Sequence, residues 1–301
     1  MKKTLAMMTA AMMTVGALAG CGSSSSTPAA TTAAATEAAT TAAATEAATD
    51  AATTEAAGDT AAAAEGSVKT PSGKFTVGFD QEFPPMGFVG DDGQFTGFDL
   101  DLAKEVASRL GLEFVPQPIN WDAKDMELES GNIDCIWNGF TMQGREDAYT
   151  WVGPYMANNQ VFVVNADSDI ASKADLAGKA VEVQKDSSGL AALQDDAELS
   201  ASFGSMTEVA DYNTALMDLE SGACDAVSMD SIVAGYQIKS SGKDMKILDD
   251  TLSAEEYGIG FKKGEDELAK AVYDTLMAMK DDGTVAKISN DWFGSDVFTL
   301  K

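Results

Sequence analysis

From residue 74 onward, short apolar runs alternate with longer stretches in which apolar residues recur at helical spacing. The runs at 74–79 (KFTVGF), 112–116, 133–138, 160–165 (QVFVVN), 180–183, 225–229 and 257–262 (YGIGFK) have strand length. Between them the spacing predicts helices over 98–110, 122–130, 188–195, 208–221, 230–239 and 265–281, and a last short helix ending at Trp292-Phe293. In the first helix Leu100, Leu102, Ala103, Val106 and Leu110 share a face, and Gly111 supplies the cap. Such alternation predicts an α/β fold of mainly parallel sheets with right-handed crossovers. Ligands then sit beyond the C-terminal ends of the strands.

A repeat divides this region. Leu128-Glu129-Ser130-Gly131-Asn132-Ile133-Asp134 and Leu219-Glu220-Ser221-Gly222-Ala223-Cys224-Asp225 share the pattern Leu-Glu-Ser-Gly-x-x-Asp, 91 residues apart. Each follows an amphipathic stretch and precedes an apolar run. The reading is a helix, a glycine cap, a tight turn and a buried parallel strand, used once in each of two similar lobes. In register Cys135 matches Ala226, so Cys135 and Cys224 occupy different places in different lobes, and both are expected to be reduced.

Composition changes the picture upstream. Lys2 and Lys3 precede an uncharged apolar stretch over 4–19, too short for a good membrane span and suited to a secretory signal. Leu18-Ala19-Gly20-Cys21 resembles the bacterial lipobox, which implies lipidation of Cys21 and anchoring to the membrane through an N-terminal lipid. Residues 22–66 hold 20 Ala and 11 Thr and no aromatic, so they offer nothing to bury and read as a tether. The expected division is a signal over 1–20, the lipidated cysteine and tether over 21–70, one lobe from 71–159 with 258–301, and a second from 160–257.

The chain has 301 residues, a net charge of −28 and no histidine. Serine-histidine catalysis and histidine-ligated zinc are excluded. The charge repels phosphates, so no nucleic-acid partner is expected. Neither a cofactor nor a metal is expected.

The strand ends carry the chemistry. Asp80, Glu82 and Phe83 follow the first strand, either facing a crevice or forming a solvent turn. Asn138, Gly139, Thr141 and Arg145 follow the strand at 133–138. Arg145 is one of two arginines; it suits bidentate capture of a carboxylate, or else pairs with Glu146 or Asp147. The other, Arg109, is expected to be merely solvated on an exposed helix face. Gln184, Ser187 and Ser188 precede a helix whose start either binds an anion or is simply capped. Asp230 either accepts an ammonium or caps the helix behind it. Together these groups supply donors for a carboxylate and acceptors for an ammonium, the complement of a free α-amino acid.

The globular part resembles the bacterial family 3 extracellular solute-binding proteins, which feed polar amino acids to ABC importers. The resemblance is carried by Val77-Gly78-Phe79-Asp80 with Phe83-Pro84-Pro85, by Gly97-Phe98-Asp99-Leu100-Asp101-Leu102-Ala103 and by Gly139-Phe140-Thr141 with Arg145. Further on it rests on Asp225-Ala226-Val227 with Asp230, on Tyr257-Gly258-Ile259-Gly260-Phe261 and on Trp292-Phe293-Gly294. It implies a two-lobe, type II periplasmic-binding-protein-like fold with a two-strand hinge, the lobes closing on the ligand. It implies that Arg145, with the Thr141 and Ser188 N–H groups, holds the α-carboxylate. Asp230, the Gly139 carbonyl and the Thr141 hydroxyl would hold the α-ammonium, Phe83 and Trp121 would flank the side chain, and Asp80, Glu82 and Gln184 would face its tip. Many members carry a basic residue near Gln184; here an amide stands there.

The expected protein is an extracytoplasmic, lipid-anchored, monomeric binding component without catalysis. It would carry arginine, lysine, glutamine or cystine to ABC permease membrane subunits. Two other expectations are a cyclohexadienyl dehydratase on the same fold and a sensing lobe acting in trans on a membrane receptor.

Overall fold

The computed structural model describes Thr70 and residues 72–301. The expected signal, Cys21 and all but the end of the tether lie outside the described residues.

Strand β1 (Lys74–Phe79) leads into a small antiparallel sheet of β2 (Glu82–Phe83), β3 (Gly87–Val89) and β4 (Phe95–Thr96). Helix α1 (Phe98–Leu110) follows and ends at Gly111, and β5 (Glu113–Pro118) returns parallel to β1. The segment expected as one helix over 122–130 is a 3-10 turn, Trp121–Ala123, running into α2 (Lys124–Glu129). Strand β6 (Cys135–Thr141), buried at every residue, lies parallel on the other side of β1.

The segment at 160–165 is only the end of β7 (Tyr149–Asn165). Beyond it come β8 (Ala180–Gln184), α3 (Ser188–Asp195), α4 (Ala197–Ser202) and β9 (Ser205–Val209). Helix α5 (Tyr212–Ser221), β10 (Ala226–Asp230) and α6 (Ser231–Ser241) continue the alternation. The strand expected at 257–262 is likewise the end of β11 (Met245–Lys262), followed by α7 (Asp266–Asp281) and α8 (Thr284–Phe293).

The eight long strands hydrogen-bond in the order β5-β1-β6-β11-β7-β10-β8-β9. The outer pairs are parallel, as the alternation predicts; the three pairs involving β7 and β11 in the middle are antiparallel. Register shows how these two strands join the lobes. Residues 149–156 of β7 pair with 257–262 of β11, which in turn pairs with β6. Residues 160–163 of β7 pair with β10 on one side, while 160–165 stay paired with 245–253 of β11 on the other. The two strands stay paired through residues 157–159 and 254–256, where the outer neighbour passes from β6 to β10, and they form the two-strand hinge of the two-lobe fold.

The repeat has one mechanical role in both lobes. Asp134 Oδ2 accepts from the Thr76 N–H at 2.6 Å, and Asp225 Oδ2 accepts from the Ala180 N–H at 2.8 Å. In return the Asp134 and Asp225 N–H groups donate to the Thr76 and Ala180 carbonyls, both at 2.8 Å. Each aspartate thus sets where its strand begins against the parallel neighbour. The reversal before it needs a left-handed residue, which Gly131 (φ 75°) and Gly222 (φ 79°) supply without steric cost.

Helices α7 and α8 pack against α1. Phe98 and Phe293 meet edge to face at 5.1 Å, and Trp292 Nε1 donates to Asp101 at 2.8 Å. Arg109 belongs to this interface and is not merely solvated. It donates to Glu105 at 2.8 Å, to Asp282 at 2.6 Å and to Thr284 at 2.9 Å. Its exposed helix position is legible from periodicity; the partners arrive from 173 and 175 residues away. Cys135 and Cys224 are free and buried, and burial raises both thiols above their usual range.

Candidate functional site

The C-terminal ends of β1, β6, β8 and β10 converge where the two lobes face each other. Phe83, Trp121, Gly139, Thr141 and Arg145 line a narrow cleft from one lobe. Gln184, Ser187, Ser188 and Asp230 line it from the other. Asp80 and Asn138 stand at the edge of this set, tied together by the Asp80 N–H donating to Asn138 Oδ1 at 3.0 Å.

Arg145 bridges two strand-end loops. Its guanidinium donates to the Thr141 carbonyl at 3.3 Å and the Asp186 carbonyl at 3.2 Å, and lies 5.2 Å from the Phe140 ring centre. Its partners are therefore carbonyls, not Glu146 or Asp147. Trp151 Nε1 holds the Arg145 carbonyl at 3.2 Å and so fixes the loop. Lys124, fully buried beside Trp121, forms an ion pair with Asp186 across the cleft. Phe83 stacks on Tyr212 at 5.8 Å, and Trp121 meets Phe140 edge to face at 5.6 Å.

The start of α3 does two jobs. The Ser187 hydroxyl accepts from the Leu190 N–H at 3.0 Å and donates to the Gln184 carbonyl at 2.8 Å, so it is occupied as a cap. The Ser188 hydroxyl accepts from Thr141 at 3.2 Å and from Gln160 at 3.1 Å. The first N–H groups of the helix remain as donors suited to an anion.

Asp230 heads α6 without capping it. Its carboxyl accepts instead from Tyr257 at 2.6 Å, Tyr212 at 2.9 Å and Asn158 at 2.7 Å. The same Asn158 nitrogen donates to Glu255 at 2.6 Å, and Gln160 donates to Glu255 at 3.0 Å. Burial first, and then the Glu255 charge, push the Asp230 carboxyl up to about 7. Asn158, Gln160 and Glu255 were not expected at the site. They lie in the hinge strands, where Asn158 and Glu255 are buried between exposed neighbours and no local sequence signal marks them.

Asp99 sits behind the cleft. It accepts from the Gly139 N–H at 2.7 Å and from the Tyr155 hydroxyl at 2.8–2.9 Å. Gly139 is left-handed (φ 56°), and an added Cβ would stand 2.9 Å from the Phe83 ring and 3.1 Å from Tyr257. Asp99 thus pins a left-handed backbone position where glycine fits between two rings. Burial drives its carboxyl up to about 7, against the hydrogen bonds it accepts.

Asp80 accepts from Gln184 Nε2 at 2.7 Å across the cleft and from the Glu82 N–H at 2.9 Å. Burial pushes it up to about 6. Glu82 is held by Asn213 of α5. Beyond Asp80 opens a second cavity of about 670 Å³, where Asp80, Glu82, Asp122, Glu127 and Asp211 meet a single cation, Lys185.

These raised carboxyls make a pH prediction. Between the ordinary carboxyl range and their folded values, the folded protein holds protons that the unfolded chain has released. Stability of the ligand-free protein should therefore fall as pH rises from 4.5 to 7.5. The fall should reach a few kcal/mol, because each tenfold difference in proton affinity between folded and unfolded chain is worth about 1.4 kcal/mol. Asp99→Asn imitates the protonated form and should flatten that slope. Thermal denaturation at several pH values checks both; a wild-type slope of opposite sign sinks the prediction.

Two lobes on a two-strand hinge, with polar strand-end loops facing each other, define the type II periplasmic-binding-protein class. Residues 75–295 match the bacterial extracellular solute-binding proteins, family 3, and the chain belongs to that family. The L-cystine-binding protein TcyJ of Escherichia coli (strain K12) is 31% identical over 231 residues, covering 75% of this chain and 84% of that protein. The L-cystine-binding protein TcyA of Bacillus subtilis (strain 168) is 32% identical over 229 residues, covering 75% and 83%. A substrate-binding protein of an ABC uptake transporter from Streptococcus pneumoniae, solved with bound histidine, is 34% identical at a TM-score of 0.73, covering 76% of this chain and 96% of that one.

Proposed function

We propose that this substrate-binding component of an ABC amino-acid importer carries a free polar L-amino acid with a distal positive charge, cystine first and arginine second. The observation that carries the reading is the placement of Arg145 and Asp230 in one cleft, with the acidic cavity opening beside Asp80. Arg145 and the start of α3 take the α-carboxylate. Asp230, with Thr141 and Gly139, takes the α-ammonium. Phe83 and Trp121 flank the ligand, and its far end points past Asp80 and Gln184. The distal half of cystine brings both an ammonium and a carboxylate, which match the carboxylates and Lys185. Arginine and lysine bring only the cation, and glutamine neither charge.

Ligand contacts from both lobes favour the closed form, which the permease subunits recognise. The ligand is released unchanged, without catalysis. The lobes divide at 71–159 with 258–301 and at 160–257, and the protein acts as a monomer. Cys21 carries the lipid that anchors it to the cell membrane; palmitate labelling that survives Cys21→Ser contradicts the anchor.

A thermal-shift screen of amino acids tests the ligand class. A ligand at a hundred times its Kd adds about 2.7 kcal/mol of stability. Cystine should give the largest shift, and mass spectrometry should recover it intact. Best stabilisation by glutamate or aspartate refutes the pocket assignment, and chemical conversion of a bound ligand refutes the absence of catalysis.

A further inference from the structure

Asp230 and Glu255 form a buried carboxylate pair at the hinge. They are 3% and 5% exposed, and one Asn158 nitrogen bridges them at 2.7 Å and 2.6 Å. The groups facing them are neutral: Tyr212 from α5, Tyr257 from β11, and Asn158 and Gln160 from β7. Arg145 lines the same cleft, but its hydrogen bonds go to carbonyls in the strand-end loops. Among the described residues no cation contacts either carboxylate. Two like charges this close and this dry are costly, and a proton or an incoming cation removes the cost.

We propose that Glu255 is a positioning residue of the ammonium site, acting through Asp230: it makes Asp230 hold a proton while the site is empty and release it to solvent as the ligand's ammonium arrives. The inference rests on the amino-acid reading above and adds to it a residue and a proton. Asp230 reaches the ammonium from β10, whereas Glu255 and Asn158 belong to the hinge strands. Exchange of a proton for an ammonium therefore changes the charge of the very network that ties the site to the hinge. The step balances: one ammonium enters and one proton leaves, so the carboxyl pair passes from one negative charge to two while the total buried charge, ammonium included, stays the same.

Three readings test it on the intact protein with cystine as the probe. Calorimetry at pH 6.5 in buffers of different ionisation enthalpy should show a substantial fraction of a proton released per ligand bound. Affinity should fall as pH is lowered, approaching tenfold per pH unit below the Asp230 midpoint. Glu255→Gln keeps the shape and an acceptor for Asn158 but removes the charge. It should move the midpoint down by about one pH unit or more and reduce proton release at pH 6.5. Asp80 also titrates in the cleft, but it is common to both proteins and drops out of the comparison. Uniform weakening of Glu255→Gln at all pH values, with an unchanged midpoint, overturns the proposal and leaves Glu255 merely structural. Wild-type binding without proton release overturns it without any variant. In the ligand-free protein the Asp230 carboxyl carbon should titrate above the ordinary range by NMR; ordinary titration overturns the proposal whatever the ligand. Absence of amino-acid binding in the wild type instead counts against the functional reading.

Discussion

Arg145→Ala should weaken amino-acid binding by roughly 100- to 1000-fold while the protein stays folded. Removing one partner of a desolvated, hydrogen-bonded charge pair costs about 2–5 kcal/mol, because the remaining charge is left without its counterpart. Arg145 is the single arginine that reaches the cleft. It is held in place by the Thr141 and Asp186 carbonyls and by the Phe140 ring. Phe140 is a buried residue of β6 packed by Trp121, Tyr149 and Trp151 as well as by Arg145, so that cluster remains when the guanidinium goes and the fold loses little. Arg145→Lys should recover only part of the loss, since an ammonium cannot reproduce a planar two-point contact. Calorimetric titration beside a thermal melt reads both quantities. Unchanged affinity in Arg145→Ala sinks the carboxylate assignment; a collapsed melt would make Arg145 a structural residue.

Asp230→Asn should cost about 100-fold in affinity at pH 7.5 yet leave the ligand-free protein at least as stable as the wild type. The amide keeps an acceptor for Tyr257, Tyr212 or Asn158, which now hold the carboxyl from three directions. It lacks the charge that an ammonium requires. It also removes a buried carboxylate from beside Glu255, and burial and that neighbour are what raise Asp230. A neutral group suits the empty site, and an anion suits the occupied one. Opposite signs for binding and stability are the signature of a residue kept for its ligand. If Asp230→Asn melts well below the wild type while affinity is kept, the carboxyl belongs to the scaffold alone.

Within the fold, the helices and buried strands were legible, and the departures follow a rule. The sequence reading of β7 and β11 takes in only their apolar ends, 160–165 and 257–262, because a strand that leaves one lobe and enters another loses its buried pattern in between. Strand β9 is missed, and residues 208–209 at its end fall in the helix expected over 208–221, which begins at Tyr212: β9 is an edge strand, exposed at four of its five residues, with no apolar run to reveal it. Lys173 to Leu176 and α4 are likewise too short for periodicity to act on. The repeat was legible as a pattern, but not as a pair of aspartates that set the starts of two parallel strands. That role needs Thr76 and Ala180, which lie 58 and 45 residues from their partners.

By itself the sequence determined the order of elements, the strand ends and the residue types available there. Hydrophobic periodicity is local, and the ligand rule for α/β sheets turns strand ends into candidate sites. That is why Asp80, Gly139, Thr141, Arg145, Gln184, Ser188 and Asp230 could be named in advance. The tertiary structure decided which polar groups behind those residues are forced together. Asp99 under Gly139, Lys124 against Asp186, and Glu255 beside Asp230 each join segments 40 to 62 residues apart or meet at the hinge. Their chemistry arises from burial and proximity, and neither quantity is written along a chain until it folds.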